Sequence, residues 1–309
     1  MKTIIKNLGK NVIVLLAVLG ISVVFVSCYG DGIDPDAEVE TVVLDFAGND
    51  AVSVDRRGNV YVSEYGRFVN TGGNGTRVLK VSKAGDVSEF VTGLSGPLGN
   101  TIDSQGNFYV NNDNNTARGD VLKISSDGTK TVLATIQGWP TGMTLDNENN
   151  LYVSNFLTPT VHKITPEGEV SVYATDARLA GGVGIDFDRK GNLVVGNFAT
   201  ADILSIDPEG NVSLIANIPN IVIGGFGIGY ITVVGNSIFA TGIGVNKIFR
   251  VTLDGTVEEF AGTGDAAVVD GPIGEASFNG PNGIAADKYG RALYISEFGG
   301  SGALRKIKL

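Results

Sequence analysis

Six strand-end positions carry the side chains with the most chemistry to offer. Glu64, Asn112, Asn155, Asn197, Thr241 and Glu297 each close a short β-rich run, and Tyr65, Phe156, Phe198 and Phe298 follow four of them. A second set, Asp50, Leu98, Thr141, Val183, Gly227 and Asn282, opens the runs that come just before. Gathered at one mouth, the two sets would form a ring of amides and carboxylates edged with aromatic rings. Oxygen donors beside aromatic walls suit a hard cation or a polyhydroxylated ligand. Asn and Asp at strand ends also satisfy loose turn backbone, which accounts for such residues without any ligand. Within the ring, Glu64, Glu297, Asp50 and Asn282 stand out, because two carboxylates in one cleft raise each other's pKa. These four are taken as one candidate functional cluster. Asn112, Asn155, Asn197, Tyr65, Phe156, Phe198 and Phe298 are assigned to ligand binding.

Other constellations fail on composition. The chain has one histidine, His162, and one cysteine, Cys28. A Ser-His-Asp triad, a Cys-His pair or a multi-histidine metal centre is hard to build from these. His162 also occupies a packing register, since Leu79, Leu122, Leu204, Phe249 and Arg305 stand at its counterparts. Asp146-Asn147-Glu148-Asn149-Asn150 alternates oxygens like a calcium loop but lacks the Gly at the sixth position and the closing Glu. Gly224 to Gly229 is glycine-rich without opening a helix, so it makes no phosphate cradle.

The elements that must position these residues are repeats. The pattern Asp-x-x-Gly-Asn followed by a β-branched or aromatic run starts at Asp55, Asp103 and Asp188, recurs with Asn for Gly at Asp146 and with Arg for Asn at Asp287, and has a worn copy near Thr232. Successive copies start 42 to 55 residues apart. In this turn Asp accepts a hydrogen bond from the backbone and Gly supplies a positive φ. A second turn follows, as in Lys83-Ala84-Gly85-Asp86 or Ser126-Asp127-Gly128-Thr129, with a further strand between the two. Periods of this size made of short strands are propeller blades. Six copies of four strands predict an all-β, six-bladed β-propeller. The sixth copy stops after its third strand, and Thr41 to Gly48 echoes Gly255 to Gly262, the fourth strand of the copy before. An N-terminal strand completing the last blade would close the ring and leave no long open edge.

Residues 1–27 have the layout of a secretory signal peptide: Lys2, Lys6 and Lys10, then an apolar run ending in small residues. The run is shorter than the roughly 20 residues of a membrane span. Phe25-Val26-Ser27-Cys28 resembles a bacterial lipobox, which implies cleavage before Cys28, its lipidation, and a chain anchored in the cell envelope. Residues 28–40 then read as an acidic tether and 41–309 as the propeller. Loss of the three leader lysines takes the formal charge from −10 to −13, which disfavours nucleic acid as a partner.

Gly280-Pro281-Asn282-Gly283-Ile284 with Leu293-Tyr294-Ile295-Ser296-Glu297 resembles an NHL repeat, as does Gly96-Pro97-Leu98-Gly99 with Phe108-Tyr109-Val110. The insertion from Gly262 to Asn279 is also similar to those of NHL chains. The resemblance covers residues 41–309. It extends to SMP-30/gluconolactonase-like propellers, which are calcium- or zinc-dependent lactone hydrolases. That relationship implies a metal, Ca2+ or Zn2+, held where the innermost strands begin. Asp50 and Asn282 match such positions, whereas Leu98, Thr141, Val183 and Gly227 do not. Two readings remain open: an envelope propeller that binds a small molecule or protein at the tunnel mouth, and a metal-dependent lactone hydrolase, with Asp50 and Asn282 as metal candidates and Glu64 and Glu297 as catalytic ones, in which a metal held by these four polarises the lactone carbonyl and activates water.

Overall fold

The computed structural model describes residues 36–70, 72–114 and 117–309. The leader, Cys28 and most of the tether lie outside them. Six antiparallel sheets follow one another along the chain. Blade 1 comprises Val52–Val54, Val60–Glu64, Arg77–Val81 and Val87–Thr92, counted outward from the axis. Blade 2 comprises Asn100–Ile102, Phe108–Asn112, Arg118–Ile124 and Lys130–Gln137. Blades 3, 4 and 5 have Pro140–Leu145, Gly182–Phe187 and Ile228–Val234 as their innermost strands. Blade 6 runs Pro281–Ala286, Ala292–Glu297 and Ala303–Lys308.

The N-terminal strand closes blade 6. Glu38–Leu44 pairs antiparallel with Ala303–Lys308, placing Val39 opposite Ile307 and Leu44 opposite Ala303. It starts three residues before the expected Thr41, inside the segment assigned to the tether. The reason is burial: Ala37 and Val39 are in the core, and Val39 takes up the sheet register. Gly271–Pro272, from the insertion, adds a short fifth strand outside Glu38 and Val39.

The repeated turns do what their residues dictate. Asp55 Oδ1 accepts from the amides of Arg57 (2.8 Å) and Asn59 (2.9 Å), its Oδ2 accepts from Asn59 Nδ2 (2.7 Å), and Gly58 sits at φ +84°. The Asp103 and Asp188 turns repeat these bonds, and in the Asp146 turn Asn149 takes the left-handed position in place of glycine. The Asp146 segment is thus the same structural turn rather than a cation loop.

Apolar clusters lie between neighbouring blades. Tyr61 and Val78 of blade 1 pack with Phe108, Val110 and Leu122 of blade 2, and Tyr109 and Val121 pack with Met143, Leu151 and Val153 of blade 3. Fully burying such a side chain contributes roughly 1.5–3 kcal/mol. Nearer the axis the contact becomes polar. The penultimate residue of a second strand bonds the innermost backbone of the next blade: Asn111 Nδ2 to Thr141 O (2.6 Å), Ser154 Oγ to Val183 O (2.7 Å), Thr241 Oγ1 to Asn282 O (2.6 Å) and Ser296 Oγ to Asp50 O (2.7 Å). Backbones approach so closely there that only glycine fits. A Cβ on Gly142 would lie 1.9 Å from Val183 O, and one on Gly283 would lie 2.2 Å from Asp50 O.

Candidate functional site

One face of the ring carries an aromatic arc built from five blades. Its centroid spacings are 6.0 Å from Phe68 to Trp139, 6.1 Å to Phe156, 5.7 Å to Phe198, 5.9 Å to Phe226 and 6.4 Å to Phe298. Phe68 is on a two-stranded hairpin, Phe68–Val69 against Gly72–Gly73, that extends from blade 1. Blade 2 supplies no ring and has Asp113 and Asn114 at the corresponding loop. Phe68, Phe226, Leu157 and Ile223 are exposed, so the arc presents apolar surface. A contiguous patch of this kind marks an interaction surface more often than scattered apolar residues do.

The loops under the arc are held by the very asparagines that close the second strands. Asn155 Oδ1 accepts from the amides of Trp139 (3.0 Å), Leu157 (3.1 Å) and Thr158 (3.0 Å), and its Nδ2 donates to Gln137 O (2.8 Å). Asn197 bonds Ala199 N, Thr200 N, Arg178 O and Ala180 O in the same manner, and Asn112 Oδ1 accepts from Ser95 N (2.8 Å). Asn155 and Asn197 are fully buried. Of these three residues, assigned to ligand binding, Asn155 and Asn197 clamp loops that carry the rings, and Asn112 bonds the loop before blade 2.

The tunnel beneath is plugged. Tyr230, from the innermost strand of blade 5, donates its hydroxyl to Asp50 Oδ1 (2.6 Å), and Asn282 Nδ2 donates to Asp50 Oδ2 (3.1 Å) and to Asn49 O (2.9 Å). Burial pushes the Asp50 carboxyl up to about 6 against these hydrogen bonds. Tyr65 is half-buried behind the Gly72–Gly73 strand, and burial together with the Asp50 charge raises its hydroxyl's pKa. Farther along the axis a cavity of about 200 Å³ is lined by all six innermost strands, with Asn100, Asp186 and Thr232 among its walls.

Each of the two glutamates pairs with an arginine of its own blade. Glu64 Oε2 accepts from Arg77 Nε (2.7 Å) on the next strand of its blade. Glu297 is fully buried, and its Oε1 accepts from Arg305 Nη1 (2.8 Å). Arg305 also donates to Ser277 O, Val269 O and Asp270 Oδ1 and lies 5.2 Å from the Phe278 ring centroid, which ties the insertion to blade 6. Burial raises Glu297 to about 7 even with Arg305 beside it. Each carboxylate is committed to an arginine on the adjacent strand.

The donor set does not fit the metal implied by the family resemblance. Asp50 and Asn282 do meet, but Asn282 turns its amide nitrogen to the carboxylate, and Tyr230 and the Ala51 amide occupy Oδ1. Among the described residues, no group of three or more His, Cys, Asp or Glu side chains is arranged to hold a metal ion. His162 is half-buried, sits opposite Val153 and Val172 in blade 3, and has its pKa lowered by burial.

Of the rings in the arc, Phe156, Phe198 and Phe298 are among the residues singled out from the sequence, whereas Phe68, Trp139 and Phe226, and Tyr230 below them, are not. Trp139 could have been found from its place immediately before Pro140-Thr141, at the start of an innermost strand. Tyr230 has no comparable local signal.

No family model and no curated protein matches the sequence. Solved structures do share the fold. An auxiliary nutrient binding protein from Bacteroides ovatus has 15% identity and a TM-score of 0.68, over 89% of this chain and 77% of that one. A gluconolactonase from Xanthomonas campestris has 14% identity and a TM-score of 0.64, over 88% and 89%. The catalytically inactive histidine-to-alanine variant of virginiamycin B lyase from Staphylococcus aureus, with quinupristin, has 19% identity and a TM-score of 0.60, over 88% and 99%. At these identities the likeness is one of fold.

Proposed function

We propose that this propeller is a binding protein whose ligand, a ring-bearing small molecule, lies on the aromatic arc, and that it works anchored in the bacterial cell envelope. The arc carries the reading: six rings from five blades converge on one face. The nearby carboxylates Asp50, Glu64 and Glu297 are meanwhile engaged by Tyr230, Arg77 and Arg305. Large aromatic side chains on loops clamped by buried asparagines give contact area at little entropic cost. The nutrient-binding neighbours favour the same class of role. Anchoring is supported by the basic leader, the apolar run and Cys28, and NHL-type ancestry by the Gly280-Pro281-Asn282-Gly283 motif.

Trp139 is the only tryptophan in the chain and sits inside the arc, so its emission reports occupancy. Titration with oligosaccharides, δ-gluconolactone and quinupristin should give saturable emission changes without turnover for whichever class binds. Metal-dependent hydrolysis of the lactone would overturn the reading in favour of a hydrolase. Retention of the chain in the soluble fraction, unaffected by Cys28→Ser, would overturn the anchor.

A further inference from the structure

The face opposite the aromatic arc holds a cavity of about 760 Å³, where the turns of blades 1 and 2 meet the end of the innermost strand of blade 6. Its walls are of two kinds. Tyr61, Phe90 and Ile102 form an apolar side, and Arg56, Arg57, Lys80 and Lys288 bring positive charge. This concentration runs against the chain's net charge of −10. Two carboxylates at the cavity, Asp55 and Asp103, stand against four cations, which leaves the lining net positive, and both are already hydrogen-bonded within their own turns. Asp55 is occupied by the Arg57 and Asn59 amides, Asn59 Nδ2 and the Tyr61 hydroxyl. Asp103 is occupied by the Gln105 and Asn107 amides, Asn107 Nδ2 and the Tyr109 hydroxyl. The cations keep their donors, since none of the four enters an ion pair among the described residues, and Lys80 Nζ rests 5.6 Å from the Tyr61 ring centroid.

We propose that this cavity is a second binding site, for an organic anion that presents a phosphate or carboxylate head to Arg56, Arg57 and Lys288 and lays a ring body against Phe90 and Tyr61. Its volume lies within the roughly 300–1,000 Å³ of small-molecule pockets. Guanidinium groups match both oxyanions in planar, bidentate geometry, and a cleft lined by one sign of charge concentrates the opposite ion. The same turn in blade 3 is Asn147-Glu148, so a basic turn is not required by the fold. The site stands apart from the aromatic arc and does not depend on the function proposed for it.

Calorimetric titration of the protein with glucose 6-phosphate tests the assignment, with glucose and inorganic phosphate as the headless and bodyless controls. Saturable binding is expected, tighter than for either control and weakened by added NaCl. It should fall by about tenfold or more in Arg57→Ala/Lys288→Ala, the loss of charge-assisted hydrogen bonds worth roughly 1.5–3 kcal/mol. Arg57→Lys/Lys288→Arg keeps the charges and should retain most of the affinity, and an unchanged Tm in both variants excludes a folding effect. Trp139 emission should stay flat throughout. No saturable binding in the millimolar range, equal affinity in the alanine variant, or a Trp139 response that follows the binding curve would each overturn the proposal.

Discussion

Tyr230 and Asp50, 180 residues apart in sequence, close the head of the tunnel through a 2.6 Å hydrogen bond from phenol to carboxylate. The bond joins blade 5 to blade 1 across the Asn282 amide of blade 6, and all three side chains are buried. It is a structural tie placed where the SMP-30-like resemblance implies a metal.

That tie gives stability an acid-favoured branch. Asp50 stands at about 6 against a usual 3.8, and Glu297 at about 7 against a usual 4.5, both because burial penalises the charged form. Between the usual and the raised values the folded chain holds protons that the unfolded chain has released. Stability is therefore gained as pH falls from about 7 toward about 4, and lost as pH rises through the same window. Below that window Asp176, pulled down to about 2 by its hydrogen bonds from Arg178, starts to protonate and the trend reverses. Thermal melts should rise on acidification from pH 7.5 to about 5, and Asp50→Asn should flatten the rise. A Tm that falls steadily over that interval would refute the account.

Arg305 is the residue whose loss should cost most. It holds Glu297, Asp270 and two carbonyls of the insertion while fully buried itself. Arg305→Met strands a buried carboxylate and should destabilise by about 3–5 kcal/mol. Glu297→Gln leaves the other three bonds of Arg305 in place and should cost only about 1–3 kcal/mol. Denaturant unfolding separates the two; equal and negligible costs would mean that the pair is not formed.

The six-bladed ring was legible because its signals are local and repeated. Asp55, Gly58 and Asn59 specify a turn within five residues, and the same signature returns in blade after blade. The site was only half legible. Asn155 and Asn197 look alike in sequence whether they face a ligand or their own backbone, and only the loop path reveals the second. Glu297 resembled a tunnel carboxylate because its partner, Arg305, stands in a position where the other blades carry apolar residues or histidine. Tyr230 reaches a residue from the far end of the chain, which no periodicity encodes.

Close packing of innermost strands makes a separate prediction. Gly142→Ala would drive a Cβ into Val183 O at 1.9 Å and should cost roughly 2–4 kcal/mol, as overpacking against backbone does. Gly274, with nothing near its Cβ direction, is the control and should change stability by less than about 0.5 kcal/mol. Comparable losses at both positions in urea melts would contradict the inter-blade contact.

Metal dependence should be absent at the tunnel head. Because Asp50 Oδ1 and Oδ2 are both engaged, millimolar Ca2+ or Zn2+ against EDTA should move Tm by less than about 1 °C. A larger shift that disappears in Asp50→Asn would show that the Tyr230 tie opens to admit an ion.

The most direct test of the central claim is the emission of Trp139 while ring-bearing ligands are titrated against the protein and its Phe156→Ala/Phe198→Ala variant. Binding on the arc predicts a saturable change that weakens by about tenfold or more when both rings are removed, since each buried aromatic contact is worth roughly 0.5–1.5 kcal/mol beyond its area. A ligand held with equal affinity by both proteins would place binding elsewhere and contradict the claim.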